Sequence, residues 1–194
     1  MRPPHVIASH RHHRQSFASG RDDGQAVGGT TPGRGVGRVG RAMARLLIVH
    51  HTPSPAVHSL VEAVRSGATD PQISGVEVVA RPALGATAVD VLEADGYLLG
   101  APANLGYMAG ALKHFFDTIY YPCLDATVGR PYGVFVHGND DTTGALRGID
   151  KIVTGLRWTL AQAPVSVVGT PSPQDLDACW ELGAAVAAGL SVDA

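Results

Sequence analysis

The chain has 194 residues, enough for one domain of ordinary size with a proper core. Its formal charge of −2 is unevenly spread: residues 1–42 carry seven Arg, no Lys and two Asp, whereas residues 43–194 carry eight basic and fifteen acidic side chains. No apolar run approaches bilayer length, and Cys123 and Cys179 form no C-x-x-C or zinc pattern, which sets aside a membrane span, a disulfide framework and a zinc module and points to a reducing, cytoplasmic setting.

Residues 1–42 are rich in Gly, Arg, His and Ser and lack apolar periodicity. Such a stretch buries too little surface to offset its ordering entropy, so a basic non-folding extension is expected. A basic arm for nucleic acid or a membrane surface, a targeting leader, and adventitious metal binding at His10, His12 and His13 are the competing readings. The run Met43-Ala-Arg-Leu-Leu-Ile-Val looks like a natural protein start leading straight into a strand. Gly35-Val-Gly37-Arg-Val-Gly40 fits G-x-G-x-x-G, but a strand follows it instead of preceding it, so it is rejected as a dinucleotide site.

From there strands and helices alternate. Arg45–His50 is a continuous apolar strand of the kind buried on both faces. A helix is expected from Pro55 to Arg65, with Ser54 as its N-cap and Pro55 in its first turn. Val76–Ala80 reads as a second strand, Pro82–Gly85 as loop, and Ala86–Ala94 as a short helix. Gly96–Gly100 is a third strand. Met108, Leu112, Phe115, Phe116 and Ile119 share one face of a helix over Met108–Tyr120. Tyr132–Val136 is a fourth strand, and Ala145–Gln162 a helix with Ile149, Ile152, Val153, Leu156 and Leu160 on one face. Val165–Val168 is a fifth strand, and Pro173–Leu190 the closing helix. Five apolar strands alternating with helices predict an α/β, doubly wound parallel sheet of order 2-1-3-4-5, spanning residues 43–194 as one domain.

Such a sheet binds ligands beyond the carboxyl ends of its strands, at the topological switch point. Three loops are expected to gather there: His51–His58, Ala101–Tyr107 and His137–Thr143. The first opens a helix, whose free N–H groups and positive end favour an anion, and Thr52 and Ser54 add hydroxyls. The second is small and stiff. Gly100 and Gly106 permit close backbone approach, Pro102 fixes its own φ, and Asn104 offers polar groups at the tip. An ordinary crossover loop is the plainer alternative for the second, and a capping turn for the third.

The stretch Gly-Ala-Pro-Ala-Asn-Leu-Gly-Tyr-Met-Ala-Gly-Ala-Leu-Lys-His-Phe-Phe-Asp, residues 100–117, resembles the second flavin loop and following helix of flavodoxin-like NAD(P)H:quinone oxidoreductases and NADPH-dependent FMN reductases. The third loop is similar to that family's Gly-Gly-x-Glu-Thr-Thr run. The first departs from it, since Pro53 and Pro55 remove two backbone donors that Ala56, Val57 and His58 must replace. The resemblance implies a flavodoxin-like fold and non-covalent FMN. The phosphate would lie at Thr52, Ser54, Ala56, Val57 and His58, and the ring against Pro102, Ala103, Asn104, Leu105 and Gly106 with His137, Gly138 and Asn139 on its other side. It implies NAD(P)H as co-substrate, a quinone or other small molecule as electron acceptor, and no nucleic-acid partner. His137 is then the candidate proton donor near the ring. Phe116, Tyr120 and Tyr121 cluster at one helix end, and with the resemblance they predict a homodimer or homotetramer. An electron-carrier flavodoxin and a scaffold that has lost FMN and binds a protein partner are the alternatives. No G-x-S-x-G, G-x-x-x-x-G-K-[ST] or H-E-x-x-H motif occurs, and the acidic residues of a receiver domain are replaced by His50 and His51.

Overall fold

The computed structural model describes residues 43–191. The expectations for residues 1–42, including the three-histidine group and the glycine motif, lie outside the described residues. The elements run β1 (Ala44–His50), α1 (Pro55–Ala68), β2 (Val76–Pro82), α2 (Ala88–Glu93), β3 (Gly96–Asn104), β4 (Tyr107–Met108), α3 (Gly110–Cys123), β5 (Pro131–Gly138), α4 (Thr143–Gly155), β6 (Thr159–Leu160), β7 (Val165–Val168) and α5 (Pro173–Ala188).

The sheet order is β2-β1-β3-β5-β6, with β7 also pairing β5. All these pairs are parallel. This is the predicted 2-1-3-4-5 order, with its last position shared by two short strands. β6 meets Pro131 and Tyr132 at one end of β5, and β7 meets Phe135–Gly138 at the other. Ala161–Pro164 separates them, and Pro164 has no N–H to give a ladder.

Alternate residues of each strand feed two cores. One lies under α2, α3 and α4 and includes Leu47, Val49, Leu99, Leu112, Phe115, Phe116, Val134, Val136 and Ile149. The other lies under α1 and α5 and includes Leu46, Ile48, Leu60, Val64, Leu98, Phe135, Leu182 and Val186. Burial on both faces explains why the strands read as continuous apolar runs instead of alternating ones. Among the described residues no helix is long and apolar enough to cross a membrane.

Four elements differ from the sequence reading in ways that matter. The stretch expected as a loop after Gly100 is instead the outer half of β3, which then turns back into β4. Strand β2 runs on through Pro82, which an edge strand tolerates. Helix α4 stops at Gly155 rather than Gln162. Arg157 takes φ 58° and turns the chain. Trp158 then dives under, stacking on Tyr97 with centroids 4.0 Å apart and donating Nε1–H to Thr127 Oγ1 at 2.8 Å. Leu160, expected on the helix face, is exposed in β6. Finally, Phe116 is core and Tyr120 is half-buried beside Gly155, so only Tyr121 of the predicted aromatic patch is largely exposed.

A polar hub closes the end of the sheet away from the site. Arg130 Nη1 stands within hydrogen-bond distance of the carbonyls of Val91 (2.8 Å), Leu92 (3.0 Å) and Ala94 (2.5 Å) and of Tyr97 Oη (2.9 Å), its two hydrogens shared among them, and Tyr97 Oη–H donates to the Val91 carbonyl at 2.9 Å. It thereby satisfies carbonyls that α2 leaves open at its C-terminus. Burial pushes the Tyr97 phenol up to about 12, against the opposing pull of Arg130.

Candidate functional site

The carboxyl ends of β3 and β5 carry the two walls of a slot. The first wall is a hairpin. Ala103 pairs with Met108 and Asn104 with Tyr107, antiparallel. The two turn residues, Leu105 at φ 51° and Gly106 at φ 73°, have the positive φ values of a two-residue type I′ turn. Gly adopts this readily, whereas Leu does so at a cost. Leu105 is also fully exposed, so an apolar side chain in a strained conformation faces solvent at the tip.

The second wall is the turn after β5. Asp141 accepts from Thr143 Oγ1 at 2.6 Å and from the Thr143 amide at 3.0 Å, which ties the turn to the start of α4. These bonds, the hydroxyl first, hold the Asp141 carboxyl below the usual carboxylate range. Thr142 is buried, with its Oγ1 2.5 Å from Ser166 Oγ. Between the walls Ala103, Leu105 and Gly106 face Asn139, Asp140 and Asp141 across a cavity of ≈ 410 Å³.

Both walls are set by α4. The turn Asn139–Thr142 leads directly into it. The hairpin rests on its first two turns, where Gly144 and Gly148 stand. A Cβ on Gly144 would overlap the carbonyl oxygen of Gly106 and lie 3.1 Å from its carbonyl carbon. A Cβ on Gly148 would come 2.9 Å from both Tyr107 Cε2 and Met108 Cε.

A second cavity, of ≈ 460 Å³, opens at the start of α1. Pro55, Ala56 and Ser59 of α1, His137 of β5 and Asn139 just after it, and Gly169, Thr170, Pro171 and Leu176 line it. Asn139 lines both cavities. Ser54 caps α1 by accepting from the Val57 amide at 3.4 Å, and its carbonyl takes the His58 amide at 3.0 Å. Thr52 Oγ1 lies 2.7 Å from His50 Nδ1, and burial lowers the His50 pKa below its ordinary value.

The predicted site residues are therefore distributed as follows. Ala103, Leu105, Gly106 and Asn139 share the slot, and Ala56, His137 and Asn139 share the second cavity. Pro102 is buried within β3, opposite His137 in register, and does not line the slot. Asn104 is exposed and is occupied in the hairpin ladder. Val57 is core and His58 is exposed; both amides are already engaged, so neither replaces the donors lost at Pro53 and Pro55. Gly138 lies in β5, and its missing Cβ makes room for the Asp141 carbonyl oxygen, 2.5 Å from where that atom would stand, not for a ligand.

His137 is also corrected. It alternates onto the α1–α5 side of β5 and is 8% exposed, with Nε2 2.7 Å from the Gly169 carbonyl oxygen. A carbonyl only accepts, so Nε2 carries the proton and gives it to Gly169, and His137 does not stand in the slot as a proton donor. Sequence reading missed Ser59, Thr170 and Gly144. Thr170 had a usable signal, since it follows the carboxyl end of the last strand, where parallel sheets place their sites.

No family model matches the chain. A stretch of 77 residues is 34% identical to a flavodoxin of Aquifex aeolicus (strain VF5), covering 40% of this chain and 40% of that protein's length. Among solved structures, a flavodoxin from the domain Archaea superposes with a TM-score of 0.65 at 17% identity, covering 75% of this chain and 98% of that one. A flavodoxin, WrbA-like protein from Agrobacterium tumefaciens superposes with a TM-score of 0.60 at 19% identity, covering 74% and 95%. Sheet order, layering and these superpositions agree: the chain has a flavodoxin-like α/β fold.

Proposed function

We propose that the chain binds FMN non-covalently and acts as an oxidoreductase, passing electrons from NAD(P)H to a quinone or another small acceptor. The observation that carries this reading is the slot between the hairpin tip and Asn139–Asp141. Its volume lies in the usual range for small-molecule sites. Gly106 faces open space where a Cβ would stand, which suits a flat ring laid against backbone. Leu105, strained and exposed, would gain an apolar contact from such a ring. The flavin fits this donor and apolar set at the ring end. At the other end Thr52, Ser54 and Ala56 at the start of α1 would face the phosphate.

When bound, FMN supplies hydride acceptance and onward electron transfer, and the protein supplies position and electrostatics. Asn139 would hydrogen-bond the polar edge of the ring. Leu105 and the hairpin would exclude water from one face. Asp140 and Asp141 would place negative charge at the rim.

Those two carboxylates and the acidic balance of residues 43–194 favour a second reading, an electron-carrier flavodoxin that meets a protein redox partner. The flavodoxin relative, matched over 40% of its length, supports either. Flavin titration of the apoprotein followed by steady-state NAD(P)H oxidation with a quinone tests both. Quinone-dependent turnover is expected for the enzyme. Tight FMN binding without turnover supports the carrier, and no quenching of flavin fluorescence at high micromolar protein rejects both.

A further inference from the structure

A third cavity, of ≈ 320 Å³, lies at the other end of the domain, between the turn that follows α1 and the outer side of α5. Asp70, Gln72 and Ile73 form one wall, and Trp180, Ala184, Ala185 and Ala188 the other. The hollow follows from how the two helices meet. A Cβ on Gly67 would overlap the Trp180 carbonyl oxygen, and one on Gly183 the Val64 carbonyl oxygen. The bare glycines let the backbones close up there, which pins Trp180 against α1. Beyond that level α5 presents only short alanine side chains, which leave space under the turn. The turn itself is held: the Asp70 amide donates to the Gly67 carbonyl at 3.2 Å, the Ile73 amide to the Asp70 carbonyl at 2.9 Å, and the Gln72 amide to Asp70 Oδ1 at 2.8 Å. Asp70 Oδ2 and the Trp180 indole N–H have no partner among the described residues. Trp180 is 38% exposed, so its ring is open to a ligand. No Lys, Arg or His lines the cavity, and the exposed Asp177 and Glu181 stand beside Trp180 on α5.

We propose that this cavity binds an alkylguanidinium group, the chemistry shared by an arginine side chain and by small free guanidines; the inference is independent of the flavin reading. A guanidinium is planar and weakly hydrated, so it stacks on an indole while its edge gives N–H donors to a carboxylate. Asp70 Oδ2 takes one of those donors, and the Trp180 ring covers one face of the plane. The alkyl stem lies on Ile73 and on the methyls of Ala184, Ala185 and Ala188. An ammonium group suits the hollow less well, because a compact, strongly hydrated charge loses more on entering a half-apolar space. An anion is opposed by Asp70 within and by Asp177 and Glu181 at the rim. Binding makes and breaks no covalent bond.

Intrinsic fluorescence reads this site directly. The chain has two Trp, and Trp158 is buried against Tyr97, so a ligand in the cavity changes the emission of Trp180. Titrating the full chain with butylguanidinium should give a saturable change, at concentrations about tenfold below those butylammonium needs, and the affinity should fall as salt is raised. A capped Gly-Arg-Gly peptide separates the two sources: tighter binding than butylguanidinium points to the arginine of a peptide, weaker binding to a free guanidine, and either supports the site. Asp70→Asn keeps an Oδ1 acceptor for the Gln72 amide, so the turn should hold while guanidinium affinity falls about tenfold. Ala185 is exposed, so Ala185→Leu should fill the hollow and abolish binding with an unchanged melting temperature. Neither change should alter flavin titration. No saturable change in the parent, equal affinity for butylammonium, or an Asp70→Asn protein that binds as the parent does would each overturn the proposal.

Discussion

The closest backbone approach in the site is between α4 and the hairpin, and Gly144→Ala tests what it does. The added methyl would overlap the Gly106 carbonyl oxygen and press to 3.1 Å on its carbon. Both are backbone atoms, so no side chain can rotate away, and the hairpin must back off by roughly 1.5 Å to restore ordinary contact. The domain itself has little at stake. The hairpin adds only the two-residue β4 to the sheet, and Ala is better than Gly in a helix by about 1 kcal/mol, which offsets part of the strain. A gap of that size forfeits about half or more of a contact's attraction across the affected wall. FMN affinity is therefore expected to fall about tenfold, or ~1.4 kcal/mol, with a melting temperature within a few degrees of the parent. Gly148→Ala is the graded control. Its methyl meets the Tyr107 ring edge and the end of Met108, which have freedom to yield, so a smaller loss is expected. Fluorescence titration and thermal melts on the three proteins decide the matter. If Gly144→Ala binds FMN as tightly as the parent, the hairpin is not a wall of the flavin site.

Gly106→Val should abolish flavin binding with the fold retained, because a β-branched residue is strained at φ 73° and fills the slot; binding equal to the parent in a flavin titration would refute the ring placement. Arg130→Met should lower stability by about 1–3 kcal/mol in urea unfolding, since it removes the guanidinium from the Ala94 and Leu92 carbonyls while the Val91 carbonyl keeps the Tyr97 hydroxyl; no measurable loss would mean water replaces the guanidinium. His50 has its pKa lowered from 6.5 by burial, so the unfolded chain binds its proton first, and the stability contribution is complete above that value and lost as pH falls below it. The drop in melting temperature from pH 7.5 to 5 should accordingly be smaller in His50→Gln, and an identical drop would exclude His50 as a contributor. Light scattering of the parent at micromolar concentration should give a mass above one chain if Tyr121 marks a self-association face, with Tyr121→Ser shifting it downward.

The layered architecture was legible in the sequence for a simple reason. Runs such as Leu46–Val49, Tyr97–Leu99 and Val134–Val136 are apolar at every position, so both faces must be covered, and the helical repeats between them supply the cover. The cap at Ser54 and Pro55 was equally local. What the chain could not announce were relations between distant residues. The hairpin exists because Ala103 and Asn104 find Met108 and Tyr107, and that pairing alone puts Leu105 at a positive φ. The end of α4 depends on Trp158 finding Tyr97, far earlier in the sequence, so a helical pattern that ran on to Leu160 misled. His137 looked like a group beside a ring until Gly169 claimed its Nε2, which only the packing of β7 against β5 brings about. Gly144 carried no signal at all, because its need for a bare Cα arises only where the carbonyl of Gly106 comes to rest against it.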